Sequence, residues 1–318
     1  MKILILVIRV LPIEKIRGDD SFIISFQQNA NGITNPSNSV WIEFSKQITS
    51  ASSFTSCLWL KAKYFNKNIA IVLWAYCISE GNEEKVDCLQ IFLDGDSSTA
   101  MRTVVIKAFT PNHPQYDIIH VPLPTYKHRT WGHLCWSFSS VSGENRFYYN
   151  GQSVGNVTNE SAKRDIFQNV TGLKKHALIF GQEPDALRGG YNRYQSFIGD
   201  LTGFNIWDYI LDEAVIKDMA GCLSWQKGNF IEWNKSEIVN YDAHFRNLEN
   251  TSSLCERSTR YFVIPRKVLY THAHDYCATH GGTLVTPRSK EENDMVKSMV
   301  HEHYEQCRTF SNGLKIVE

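Results

Sequence analysis

Between about residues 21 and 245 the apolar positions fall in short runs that Gly, Asn, Asp and Ser interrupt every few residues. Residues 39–44, 69–76, 89–93, 101–108 and 146–149 are such runs, rich in β-branched and aromatic side chains. Those side chains fit a pleated, half-buried surface, so each run predicts a strand. Asn150-Gly151 follows the last run and predicts a tight hairpin turn, because both residues tolerate left-handed backbone. Strands this frequent, with few helical patterns between them, predict a mainly β protein built as a β-sandwich. One helix is expected over 212–220, with Asp212 capping its first turn and Gly221 ending it.

The periodicity changes after about residue 250. Residues 266–279 and 289–303 predict two amphipathic helices. Leu269, Ala273, Tyr276 and Cys277 share a face in the first; Met295, Val296, Met299 and Val300 do so in the second. Ser289 and Glu292 have the spacing of a capping box. The chain therefore divides into a sandwich at about 21–246, a polar linker at 247–254 and a second, α+β domain at 255–318. Residues 1–20 read as a leader or weak signal peptide: a lysine precedes an apolar stretch, but Arg9 interrupts it and no small-x-small cleavage site follows.

Composition narrows the function. Thirty-three basic and thirty-three acidic residues cancel, with no long basic run, which argues against nucleic acid or an anionic membrane as main partner. No apolar run approaches the roughly 20 residues that span a bilayer. Glycosylation sequons occur at Asn156, Asn159, Asn169, Asn234 and Asn250, beside eight cysteines, and together they point to a secreted or extracellular protein. None of the cysteines forms a C-x-x-C pair, which disfavours zinc ribbons and redox sites. Cys57 and Cys135 lie in two strand-like runs, and Cys77 and Cys88 flank a polar turn. Each couple is a candidate disulfide, but eight cysteines allow 105 complete pairings, so Cys222, Cys255, Cys277 and Cys307 stay unassigned. His272, His274, His301 and His303 are spaced two apart, which cannot present one metal-binding face on a helix.

Two resemblances then appear. The run His133-Leu-Cys135-Trp-Ser137-Phe138-Ser-Ser140 resembles the pentraxin signature H-x-C-x-[ST]-W-x-[ST], departing only where Phe138 replaces tryptophan. The runs from Leu178 to Asp185 and from Ser196 to Asp208 resemble further pentraxin motifs, in the family's order. The resemblance implies a lectin-like jelly-roll sandwich in which Cys57–Cys135 is the family's disulfide. It also implies Ca2+ held by loop oxygens, the donors that a hard cation takes. Glu183 and Asp185 match side-chain ligands, Pro184 the position giving a backbone carbonyl, and Gln195 an amide ligand. Asn192 replaces a glutamate. Asp87 and Asn82 are the candidates for an earlier ligand pair without a clean counterpart, so a second calcium is expected to be weak or absent.

The segment from Tyr261 to Asn293, with Cys277, Gly281-Gly282, Leu284 and Pro287, resembles the opening of a C-type lectin domain. Such domains run to about 110–130 residues, and the segments carrying the sugar-binding calcium motifs are not in this sequence, so it reads as a truncated lectin-like domain. The combined expectation is a non-enzymatic, calcium-dependent recognition protein of possible immune role, binding carbohydrate or phosphocholine-like groups and other extracellular proteins, and able to form homo-oligomers. The first alternative is an ectodomain fragment of a larger membrane receptor of adhesion-receptor or polycystin type. A glycoside hydrolase ranks third: Glu183-Pro-Asp185 begins an E-x-D run, but no second glutamate follows.

Overall fold

The computed structural model describes residues 6–10, 22–30, 36–45, 51–63, 71–80, 86–95, 102–108, 119–127, 129–158, 174–248, 251–255, 260–264, 270–279, 282–287 and 290–302. Its chain forms two compact units, residues 16–255 and residues 1–15 with 256–318.

The larger unit is a sandwich of two seven-stranded antiparallel sheets. Its strands in the first half of the chain are β2 (Phe22–Phe26), β3 (Trp41–Phe44), β4 (Ser53–Ala62), β5 (Ile71–Glu80), β6 (Val86–Gly95), β7 (Arg102–Ala108) and β8 (Ile119–Leu123). Then follow β9 (Gly132–Ser139), β10 (Glu144–Tyr149), β11 (Gln152–Thr158), β12 (Lys174–Phe180), β13 (Gly199–Trp207), β14 (Ile238–Tyr241) and β15 (His244–Asn247). One sheet runs β11-β10-β9-β4-β13-β2-β15 and the other β14-β3-β12-β5-β6-β7-β8. The Asn150-Gly151 turn joins β10 to β11 with both residues at positive φ, 49° and 75°.

Alternation puts Phe54, Leu58 and Leu60 of β4, Leu134, Trp136 and Phe138 of β9, and Leu178 and Phe180 of β12 into one core between the sheets. Phe138 is buried against Phe54 and Trp136, so phenylalanine fills the signature's tryptophan position without exposing the core. The outer faces are covered too, which is why β13 is buried at all nine positions rather than at alternate ones. Over the first sheet lies α1 (Glu213–Ala220), whose Ile216 and Met219 pack on Cys57, Cys135, Tyr148 and Trp207. Asp212 caps it, its Oδ1 accepting from the Ala214 N–H at 2.8 Å, and Gly221 closes it. Over the second sheet lies the β12–β13 loop, whose Leu187 and Tyr191 join Trp41, Ala75, Cys77, Phe92 and Ile179.

Cys57–Cys135 and Cys77–Cys88 are disulfides between directly opposed residues, on β4–β9 and β5–β6. Cys222 pairs with Cys255, a link the sequence left open. That link closes the polar stretch expected as a linker onto the sandwich: Leu254 and Cys255 are buried beside Trp59.

In the smaller unit, β1 (Leu6–Val10) lies between β16 (Arg260–Ile264) and β17 (Gly282–Leu284), antiparallel to both. The apolar stretch read as part of a leader thus contributes a strand here. The helices are α2 (Tyr270–Thr279) and α3 (Lys290–Glu302). Ala273 and Cys277 are buried on the expected face of α2, and Cys277 is a free thiol that burial pushes upward in pKa. Leu269, Ser289, His303 and Cys307 lie outside the described residues. Among the described residues no helix is long and apolar enough to cross a membrane.

Candidate metal centre

Five of the seven expected metal-site residues lie on the single loop between β12 and β13, and the sequence explains how that loop is built. Gly181 turns the chain off β12 with φ 89°, where a Cβ would collide with the Phe26 ring. The two ends of the loop are tied together by the Phe197 N–H donating to the Gly181 carbonyl at 2.9 Å. Gln182 is fully buried; its Nε2 donates to the carbonyls of Ser37 and Val40 at 2.9 and 3.1 Å, and its Oε1 accepts from Ser196 Oγ at 2.8 Å.

Glu183 is 9% exposed, and its Oε1 accepts from Gln90 Nε2 at 3.3 Å. Pro184 is buried and Asp185 exposed. Ala186 and Gly189 exchange two backbone hydrogen bonds, at 3.2 and 3.0 Å, leaving Leu187 and Arg188 at the tip of a small hairpin. Gly190, at φ 70°, brings the chain back so close that a Cβ there would strike Asp185. Tyr191 packs on Trp41, and its burial, with the nearby Glu43 carboxylate, raises its phenol pKa. Asn192 then caps a 3-10 turn, Arg193–Gln195, its Oδ1 accepting from the Tyr194 N–H at 3.1 Å. Among the expected ligands the loop therefore carries two carboxylates, the amides of Asn192 and Gln195 and the Pro184 carbonyl, a set of oxygen donors of the kind a hard cation such as calcium takes.

The other two candidates are less defined. Asp87 lies on β6 opposite Ile78, and Asn82 is outside the described residues. Of the sequons, Asn156 is exposed on β11 and Asn234 caps a 3-10 turn, accepting from the Ser236 N–H at 3.0 Å; Asn159, Asn169 and Asn250 lie outside the described residues.

Three residues in the frame of this site were not singled out as such by sequence reasoning. Gln90 is a buried amide on the outward face of β6 with Cys88 and Phe92, and its Oε1 has no hydrogen-bond partner among the described residues. Glu43 is a carboxylate within the apolar run of β3, and Arg188 reaches it from the loop tip. A polar residue on an apolar strand was the available signal for the first two.

Among the described residues, Cys57, His133 and Cys135 form the one group of three His, Cys or acidic side chains with ligand atoms within 4.8 Å of one another. It is no metal site, because the two sulfurs are bonded together. His272, His274 and His301 are exposed.

Two facing antiparallel sheets, one helix on an outer face and an oxygen-rich loop on the other define a jelly-roll β-sandwich. Residues 36–246 match the Pentaxin family, and the chain belongs to it; residues 266–315 match the Lectin C-type domain. Among curated relatives, C-reactive protein 1.4 of Limulus polyphemus is 27% identical over 194 residues, covering 59% of this chain and 71% of its own. Pentraxin-related protein PTX3 of Mus musculus is 30% identical over 190 residues, 58% of this chain and 44% of its own. The match to the Mus musculus neuronal pentraxin receptor, 34% identical over 117 residues, spans 36% of this chain and only 22% of that receptor. A solved heptameric SAP-like pentraxin from Limulus polyphemus superposes with a TM-score of 0.56 at 19% identity, covering 74% of this chain and 98% of its own, and shares the fold.

Proposed function

We propose that this chain is the recognition portion of an extracellular, non-enzymatic protein that binds anionic or carbohydrate groups through calcium held on the β12–β13 loop. The observation carrying this reading is the loop itself: Glu183, Pro184, Asp185, Asn192 and Gln195 gather oxygen donors on a segment whose ends are fastened to the sandwich. Glu183, buried against the sheet and bonded by Gln90, supplies an inner carboxylate; the exposed Asp185 supplies the outer one. Calcium, when bound, offers a positive centre with open coordination positions for phosphate, carboxylate or sugar oxygens. Asn192 in place of a glutamate leaves one fewer negative charge on the loop, which favours one strongly held ion over two.

Three disulfides and the exposed sequon at Asn156 support an oxidising, extracellular setting. A second reading, a portion of a larger membrane receptor, draws on the similarity to a relative named as a receptor. Self-assembly into a homo-oligomer is a further expectation under either reading.

Calcium titration followed by thermal melting tests the site, because a ion bound only to the folded state stabilises it by about 2.7 kcal/mol at a hundred times its dissociation constant. The expected result is a rise in Tm of several degrees that Glu183→Ala and Asp185→Ala abolish. An equal rise in both variants would reject the assigned ligands.

A further inference from the structure

We infer that Arg188 and Glu43 are positioning residues for this loop: an ion-pair clamp sets calcium affinity although neither side chain is among the oxygen donors assigned to the ion. The inference rests on the calcium reading above.

Arg188 has φ 60°, a left-handed conformation that disfavours any residue with a Cβ and that glycine adopts freely. An arginine stays there only where contacts beyond the backbone hold it, and here they are specific. Its Nε lies 2.8 Å from both Glu43 oxygens, and its Nη2 lies 2.6 Å from Oε1 and 2.9 Å from the His176 carbonyl. The Glu43 side chain is 8% exposed and belongs to β3, inside the sheet; that of Arg188 is 41% exposed. Bidentate geometry to a mostly buried carboxylate gives a directional and charge-assisted contact, unlike a loose surface pair. Burial lowers the His176 pKa, and the neighbouring Arg188 guanidinium lowers it further against the opposing Glu43 carboxylate.

The clamp bears on the ligands through a short, stiff path. The paired Ala186 and Gly189 make Leu187 and Arg188 one rigid tip, and Asp185 is the residue immediately before that hairpin. Leu187 is buried on the sheet beside Trp41 and Phe92, while Arg188 fixes the tip's direction. A loop already held in the binding geometry does not lose further conformational entropy when the ion arrives. Without the clamp the tip keeps its apolar anchors, Leu187 and the following Tyr191, but loses the contact that sets its direction, and the adjacent Asp185 loses that direction with it.

Calorimetric calcium titration well below the melting temperature, paired with melting curves in EDTA, separates affinity from stability. The full chain is compared with Arg188→Ala, Arg188→Gly, Arg188→Lys and Glu43→Gln. Calcium affinity is expected to fall about tenfold in Arg188→Ala and Arg188→Gly, the lower end for lost outer contacts of a metal site. Arg188→Lys, which keeps the charge without the fork, recovers part of the loss. Arg188→Gly melts above Arg188→Ala in EDTA because glycine relaxes the backbone, so stability rises between those two while affinity does not. Glu43→Gln keeps a neutral acceptor in the sheet and is the variant to read if the arginine variants fail to fold; its affinity falls severalfold. Wild-type affinity in the folded variants overturns the clamp alone. Absence of calcium binding in the unaltered chain overturns the clamp and the loop reading together.

Discussion

The imidazole of His133 lies against the Cys57–Cys135 disulfide, both its ring nitrogens 3.8 Å from the Cys135 sulfur, with Trp59 on its other side at 4.8 Å between centroids. Burial lowers its pKa from 6.5 to about 3, since the buried ring has little solvent to stabilise a charge. The ring is thus neutral in the folded protein over the whole range in which an unfolded chain takes up its proton. Above pH 6.5 both states are neutral and the residue has no pH effect. As pH falls from 6.5 toward 3, only the unfolded state is protonated, and stability drops by about 1.4 kcal/mol per pH unit. Urea unfolding at steps between pH 6.5 and 4 should show that slope, and His133→Gln should remove about one proton's worth of it; an unchanged slope would contradict the assignment.

Asp200 on β13 joins three strands through one buried carboxylate. Its Oδ1 accepts from Ser25 Oγ at 2.7 Å and faces Lys63 Nζ at 3.0 Å, while Oδ2 faces Arg246 Nη2 at 3.2 Å. Asp200 is 2% exposed, whereas Lys63 and Arg246 are about two-fifths exposed and can rehydrate once their partner is removed. Asp200→Ala is therefore expected to destabilise by about 2 kcal/mol, not by the larger amount that follows stranding a buried charge. Urea denaturation at pH 7 checks the figure.

Among the described residues Gln90 donates to Glu183 and its own oxygen is buried without a partner. Gln90→Leu removes both, so the stability of the metal-free chain should change by less than about 1 kcal/mol. The calcium-induced rise in Tm should shrink, because Glu183 loses the donor that orients it. Melting curves with and without calcium decide the matter, and a large loss of stability in EDTA would mean that Gln90 is mainly structural.

The two cross-strand disulfides of the sandwich close very different loops, 78 and 11 residues apart in sequence. In the chain-entropy model, opening the longer one costs about 4 kcal/mol and the shorter about 3. The double variant Cys57→Ser with Cys135→Ser should accordingly unfold at lower urea than Cys77→Ser with Cys88→Ser. Equal midpoints would show that packing rather than loop closure sets both contributions.

Much of the sandwich was legible because its signals are local. The runs at 39–44, 89–93 and 146–149 are strands within a few residues of where their β-branched and aromatic content placed them, and Asp212 and Gly221 bound α1 as expected. The oxygen-bearing residues of the β12–β13 loop were singled out through motif and order, and the structure places five of them on that one loop. Gln90 and Glu43 were not, because a single polar residue on an apolar strand shows neither its partner nor its purpose. Arg188 did not stand out, since its left-handed backbone and its reach across 145 positions to Glu43 exist only after folding.

Local chemistry in the sequence thus determined the β architecture and the helix caps and made Cys57–Cys135 and Cys77–Cys88 candidate couples, while resemblance to the family, not local chemistry, pointed to the oxygen-bearing residues between β12 and β13. Tertiary structure decided the Cys222–Cys255 link, the partners of Asp200 and Glu43, and the anchoring of the β12–β13 loop. The division has a physical cause: side-chain periodicity and turn preference act over a few residues, whereas ion pairing and burial depend on which distant strands the sheet order makes neighbours.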